Sequence, residues 1–112
     1  METVIKILGN YNESIIKKIR NIKNIDTDSF DFLKNEDVEI NVITKEDAFC
    51  DAFEFLLDMI NLIDPDCDTE DQEQFKRYCL KMGVKVNKNG EPHFKSLIKF
   101  LETHSAVKHI FL

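Results

Sequence analysis

The chain has 112 residues, of which 43% are hydrophobic and 32% charged, and its formal net charge is −6 at pH 7. This length is typical of a single domain, here 1–112, and the composition is that of a globular protein rather than a disordered chain. No stretch approaches the roughly 20 uncharged apolar residues that a membrane-spanning helix needs. We therefore expect no contact with a membrane.

The cysteines and the start of the chain bear on the cellular compartment. Cys50, Cys67 and Cys79 form no C-x-x-C pair, and their odd number does not suit a disulfide framework. Residues 1–10 lack the basic start and the cleavage site of a secretory signal. We expect a cytoplasmic, reducing location. The excess of lysine over arginine, thirteen to two, is typical of an AT-rich genome such as that of a phage, a large DNA virus or a low-GC bacterium.

The first half of the chain contains two strand patterns and one helix pattern. Residues 3–8 are rich in β-branched side chains and predict a buried strand. Isoleucines at helical spacing predict a helix after it, with Asn12 or Ser14 as its N-cap. The stretch 26–33 is ambiguous between a short strand and a turn of helix. Residues 37–43 alternate apolar and polar side chains, which predicts a half-buried strand.

The second half begins with the longest helix pattern. A wide apolar stripe over 45–63 predicts a central helix that packs on two sides. The Asp-Pro-Asp sequence at 64–66 ends this helix. The next helix is expected to have Asp68 or Thr69 as its N-cap and to end at Gly83.

The last elements complete a small mixed fold. Pro92 is expected at the first position of a final helix, and residues 107–112 predict a C-terminal strand, with a docking tail as the alternative for 109–112. The predicted order is β-α-(β)-β-α-α-α-β. We therefore expect an α/β (α+β) protein in which a small mixed sheet of three to four strands, including both chain termini, packs with about four helices.

Charge is sorted along the sequence. Residues 1–25 carry a net charge of +3, residues 26–73 of −15 and residues 74–112 of +6. Within the acidic block, four carboxylates recur at i, i+4, i+7 and i+11 along the central helix: Asp47, Asp51, Glu54 and Asp58. They form a stripe about 16 Å long, because a helix rises about 1.5 Å per residue.

The acidic stripe gives the first functional hypothesis. Like charges at this spacing repel each other, so a sequence that retains them is interpreted as using them. A row of carboxylates attracts a partner protein with a basic surface. We predict a non-catalytic interaction protein, most concretely an inhibitor or adaptor of a nucleic-acid enzyme, since such enzymes have basic grooves. A solvated helix face without a specific partner is the other interpretation of the same residues.

The basic end of the chain gives a second hypothesis. Residues 79–101 combine a helix end at Gly83, a basic turn, Gly90 followed by Pro92, and a second amphipathic helix. In this layout the segment resembles the DNA-contacting repeat at the end of the large serine recombinases, although lysine replaces the arginines that such units use. The resemblance implies contact with nucleic acid. A solvated face that balances the acidic middle of the same molecule is the other interpretation.

The second hypothesis is a nucleic-acid-associated transcription modulator that uses the helix-turn-helix-like segment 76–101. Lysines and an arginine would neutralise phosphates along this segment. These side chains are Lys76, Arg77, Lys81, Lys85, Lys88, Lys95 and Lys99.

Neither of the two patterns that suggest a metal site meets its requirements. The D-x-D-x-D start at Asp64 resembles a calcium loop, but Thr69 and Phe75 stand where that loop needs glycine and glutamate. We interpret the segment as a polar helix–helix turn with capping acids. Zinc ligands usually come in close pairs, and the available side chains are scattered: Cys79, His93, His104 and His109. We predict no metal.

Catalysis has no recognisable signature in this sequence. The three glycines are too few for a phosphate-binding loop or a dinucleotide fingerprint. Cys50 and Cys79 are expected on apolar helix faces, where thiols are inert. We therefore predict that the protein is not an enzyme and has no cofactor, and we keep a small enzyme with an unrecognised site as the third hypothesis.

Overall fold

The computed structural model describes residues 3–23, 30–33 and 37–111. In these ranges three strands and four α-helices follow one another in the order β-α-β-α-α-α-β, which confirms the expected α/β (α+β) class with a strand at each end of the chain. They are β1 Thr3–Gly9, α1 Glu13–Arg20, β2 Val38–Thr44, α2 Lys45–Ile63, α3 Gln72–Lys81, α4 Phe94–His104 and β3 Val107–Phe111.

The chain divides into two compact units. The sheet unit contains Met1–Lys45 and Ala106–Leu112, and the helical unit contains Glu46–Ser105. The single domain expected over 1–112 stays a prediction.

The sheet unit is built on β1. Its strand order is β2-β1-β3, and both pairings are antiparallel. Ile5 lies opposite Val42 and Ile110, and Ile7 lies opposite Ile40. Since side chains two residues apart point to the same side of a strand, Ile5 and Ile7 share one face of the sheet.

Helix α1 packs its buried side chains with the face of the sheet that carries Ile5 and Ile7, and together they form the core of the sheet unit. Its buried residues Ile15, Ile16 and Ile19 cluster with Ile5, Ile7, Ile110 and Leu33. The helix begins after Asn12, whose Oδ1 accepts a hydrogen bond from the N–H of Ile15 at 2.9 Å. This selects Asn12 over Ser14 as the N-cap, a contact that stabilises a helix by about 1 kcal/mol.

Two ambiguous segments are settled where the structure describes them. Asp31–Leu33 is a short 3-10 helix whose Leu33 is buried, and residues 26–29 lie outside the described ranges. Val107–Phe111 pairs with β1, and its His109 and Ile110 are buried. The C-terminal segment is thus a core strand rather than a docking tail up to Phe111, the last described residue.

Strand β1 ends at a position that only glycine fits. Gly9 has a φ of +102°, which side chains rarely adopt. A Cβ at this position would overlap the backbone carbonyl oxygen of Asp37, which accepts a hydrogen bond from the N–H of Asn10 at 2.9 Å. The glycine therefore permits the close approach of two backbone segments.

In the helical unit, α2 has partners on two sides. Ala48, Ala52, Leu56 and Ile60 form its buried face. The centre of the Phe53 ring lies 5.8 Å from that of the Phe75 ring on α3. The centre of the Phe55 ring lies 5.6 Å from that of the Phe100 ring on α4. The wide apolar stripe of α2 is explained by these two helix neighbours.

The N-cap of α3 corrects a prediction. Asp71, not Asp68 or Thr69, caps the helix, because its Oδ1 accepts hydrogen bonds from the N–H groups of Glu73 and Gln74. Asp68 instead accepts from the N–H of Glu70 at 3.0 Å and closes a turn before the helix. Several acids in a row offer equivalent caps in the sequence, and the backbone geometry selects one.

The end of α3 is fixed as predicted by Gly83. The N–H of Val84 donates to the Cys79 carbonyl at 2.8 Å, and the N–H of Gly83 donates to the Leu80 carbonyl at 3.2 Å. This is a Schellman motif, in which a glycine with positive φ satisfies the last carbonyls of the helix. Gly83 has a φ of +80°.

Pro92 lies outside the helix that it was expected to begin. It forms an isolated β-bridge with Val86, and α4 begins at Phe94 after the N-cap residue His93. The reason is a backbone hydrogen bond of 2.7 Å from the N–H of His93 to the carbonyl of Lys85, which keeps the chain extended through Pro92.

Candidate binding surfaces

The acidic stripe lies on one side of α2. Its members, hereafter the acidic face, are Asp47, Asp51, Glu54 and Asp58. Asp51 is half-buried and the other three side chains are exposed. The helical period places them opposite the buried face of α2, over a length of about 16 Å.

The helix dipole strengthens the negative potential toward one end of the acidic face. Asp47 lies in the first turn of α2, where the positive end of the dipole stabilises a carboxylate. Asp58 lies near the other end, and the last turn of α2 contains no basic residue. The dipole of α2 therefore makes the potential more negative toward Asp58 than toward Asp47.

The acidic segment 64–71 uses its carboxylates for local structure. Asp64 Oδ1 accepts from the N–H of Asp66 at 3.1 Å, and Asp64 Oδ2 accepts from the Tyr78 hydroxyl at 2.5 Å. The pKa of Tyr78 is raised mainly by the hydrogen bond to Asp64, and burial is the second cause. In the described ranges no group of three or more His, Cys, Asp or Glu side chains is arranged to hold a metal ion.

The cysteines differ in exposure, and Cys50, which was expected on an apolar helix face, is exposed on α2, whereas Cys67 is half-buried and Cys79 is buried. Burial raises the pKa of Cys79 to about 11, so its thiol is neutral near pH 7. Partial burial and then the neighbouring carboxylates raise the pKa of Cys67. His104 Nδ1 lies 3.0 Å from the carbonyl oxygen of Phe100 at the end of α4, and His109 is buried in β3.

The basic side chains of the second hypothesis lie on α3, on α4 and on the connection between them. All are exposed: Lys76, Arg77 and Lys81 on α3, Lys85 and Lys88 in the connection, and Lys95 and Lys99 on α4. The Lys81 ammonium lies 5.0 Å from the centre of the Tyr78 ring, a cation–π contact.

A shallow groove of about 220 Å³ adjoins this region, and sequence reasoning did not find it. Its lining is Met82, Gly83, Ser96, Lys99, Phe100, Thr103 and His104. The signal was present in the spacing of Ser96, Lys99 and Thr103, which share one side of α4. This side of α4 faces the end of α3, and residue spacing within one helix cannot predict such a contact between helices.

Within the described ranges, no helix combines the length and the apolar character that crossing a membrane requires.

Comparison of the chain with protein-family models, with curated proteins and with solved structures finds no match. The resemblance of segment 79–101 to the recombinase repeat therefore rests on the residues alone.

Proposed function

We propose that the protein is a non-catalytic interaction protein whose acidic face binds a basic surface on a partner protein. The observation that supports this is the row of four carboxylates on the side of α2 opposite its buried face. An inhibitor or adaptor of a nucleic-acid enzyme is the most concrete form of the proposal, because a groove that binds phosphates also attracts a row of carboxylates.

The packing of α2 against its neighbours favours this role. Its buried face and the ring contacts of Phe53 and Phe55 hold the helix in place before any partner arrives. A preorganised surface loses little conformational freedom on binding, so more of the interaction energy appears as affinity. The negative potential also accelerates the encounter with a basic partner, and salt weakens that effect.

The environment of Cys79 supports the non-catalytic part of the proposal. A nucleophilic cysteine needs a lowered pKa and access to solvent. Cys79 has neither, since it is fully buried and its pKa is raised to about 11.

Charge reversal on the acidic face tests the proposal. The probe is a 20-residue poly-lysine peptide, titrated into the full chain in a calorimeter at 50 mM salt. We expect Glu54→Lys to weaken binding about fivefold, which corresponds to about 1 kcal/mol. Binding of the unaltered protein should also weaken between 50 and 200 mM salt.

The matched control is Glu91→Lys, which makes the same change of charge at an exposed position on the connection between α3 and α4. Affinity within twofold of the unaltered protein is expected for this control. Equal weakening by both variants would show that only net charge matters, and full affinity in Glu54→Lys would remove the acidic face as the binding site.

A second measurement asks whether the acidic face is retained at the expense of stability. Glu54 lies three residues after Asp51 and four before Asp58, so its charge repels both. We expect Glu54→Gln to raise the free energy of unfolding by about 0.2–0.5 kcal/mol in urea denaturation. A lower stability would instead show that the Glu54 carboxylate has a structural role.

A further inference from the structure

The connection between α3 and α4 is a hydrogen-bonded hairpin over residues 84–93, hereafter the basic hairpin. The N–H of Asn87 donates to the Glu91 carbonyl at 2.8 Å, and the N–H of His93 donates to the Lys85 carbonyl at 2.7 Å. The bridge between Val86 and Pro92 lies between these two bonds. The hairpin thus has a defined backbone and is not a loose loop.

The tip of the basic hairpin is fixed by one side chain. Asn87 Oδ1 accepts from the N–H of Asn89 at 3.0 Å and from the N–H of Glu91 at 3.1 Å. The N–H of Gly90 donates to the Asn87 carbonyl at 3.1 Å. Lys88, which is exposed, is therefore carried on a preorganised turn.

A serine joins the basic hairpin to α4 and to the groove. Ser96 Oγ accepts from the N–H of Lys85 at 2.9 Å and donates to the Gly83 carbonyl at 3.4 Å. Ser96 also lines the groove together with Lys99. The backbone of Lys85 is therefore adjacent to the groove whose rim carries the Lys99 side chain.

The basic hairpin and the adjoining side of α4 carry four exposed lysines: Lys85, Lys88, Lys95 and Lys99. Lys95 and Lys99 are neighbours at i and i+4 on α4. Between residues 84 and 101 the sequence has these four lysines against one acid, Glu91. Helix α4 begins without a side-chain cap or an acidic residue in its first turn, so its dipole adds to the positive potential.

We propose that the basic hairpin and the adjoining side of α4 bind the phosphate backbone of a nucleic acid. Lysine is a point charge suited to phosphate, and binding through phosphates is independent of base sequence. This is a second function beside the acidic face, and it does not depend on the proposal made for that face.

The surroundings of the lysines favour nucleic acid over a membrane surface. Proteins that lie on a bilayer insert exposed apolar side chains beside their basic residues. In the part of the chain that the structure describes, the exposed large hydrophobic residues all lie outside residues 84–101: Phe32, Val42, Leu62, Ile63, Leu80 and Phe111.

Fluorescence anisotropy of the full chain with a labelled 20-base-pair DNA duplex, and with one of its single strands, tests the proposal. At 50 mM salt both probes should bind. Four phosphate contacts to the duplex predict a loss of affinity on the order of 100-fold between 50 and 200 mM salt. In the double variant Lys85→Gln/Lys88→Gln we expect at least a tenfold loss of affinity for the duplex at 50 mM salt. The slope of log affinity against log salt concentration should be smaller in magnitude by about 1.8, because two phosphate contacts are lost.

The control is Lys17→Gln/Lys23→Gln, which removes two exposed lysines from the sheet unit and should stay within twofold of the unaltered protein. Circular dichroism establishes that both double variants are folded. Absence of binding at 50 mM salt, equal losses in both variants, or preference for vesicles containing phosphatidylserine would each overturn the proposal. Glu54→Lys should bind the duplex at least as well as the unaltered protein, which separates this surface from the acidic face.

Discussion

Leu56→Ala is expected to lower the free energy of unfolding by about 2–5 kcal/mol, since deletion of buried methyl groups leaves a cavity that the surroundings only partly fill. Leu56 is fully buried at the centre of α2, between Ala52 and Ile60 on the same face. The loss should appear as a lower midpoint in urea denaturation followed by circular dichroism. It is a large part of the total stability of a chain of this size.

The same helix contains the control for this prediction. Leu62 has 78% of its side chain exposed, and Leu62→Ala should change the free energy of unfolding by less than about 0.5 kcal/mol. Equal effects of the two variants would contradict the assignment of Ala48, Ala52, Leu56 and Ile60 as the buried face of α2. They would also remove the basis for placing the acidic face opposite it.

Gly9→Ala is expected to destabilise the sheet unit by about 3 kcal/mol or more, in the upper range for single substitutions. The new methyl group would overlap the carbonyl oxygen of Asp37, and the φ of +102° is unfavourable for any side chain. Relief requires that β1 and the start of β2 move apart. That movement would weaken the hydrogen bond from the N–H of Asn10 to Asp37.

Gly83→Ala separates the two causes of this destabilisation, the steric overlap with Asp37 and the unfavourable positive φ. Gly83 also has a positive φ, but a Cβ there would meet nothing within 4 Å. Its substitution therefore measures the backbone cost alone, about 1–2 kcal/mol. We expect Gly9→Ala to exceed Gly83→Ala clearly in urea denaturation. If the two losses are equal, the close approach of Gly9 to Asp37 contributes nothing.

Local patterns predict most of the elements, because each element is encoded in its own residues. The sequence predicts α2 over 45–63, and the structure has the same bounds, since a long apolar periodicity leaves little choice. Predictions fail where several residues compete for one role. Asp68, Thr69 and Asp71 are all good caps, and only the folded backbone selects Asp71.

The candidate surfaces differ in how far the sequence predicts them. The acidic face follows from helical spacing within one element, so Asp47 and Asp58 are correctly placed on one side of α2. The basic surface depends on contacts between elements. The hydrogen bond from the N–H of Lys85 to Ser96 brings the hairpin to α4, and no periodicity encodes it.

The pairing of β1 with β3 has a consequence for synthesis of the protein. Leu8 pairs with Val107, so this edge of β1 stays open until residues 107–111 have left the ribosome. Strand β2 protects the other edge much earlier, and folding of the helical unit shortens the loop that remains to be closed. Until β3 arrives, the nascent chain exposes an unpaired apolar strand edge of the kind that aggregates and that chaperones protect.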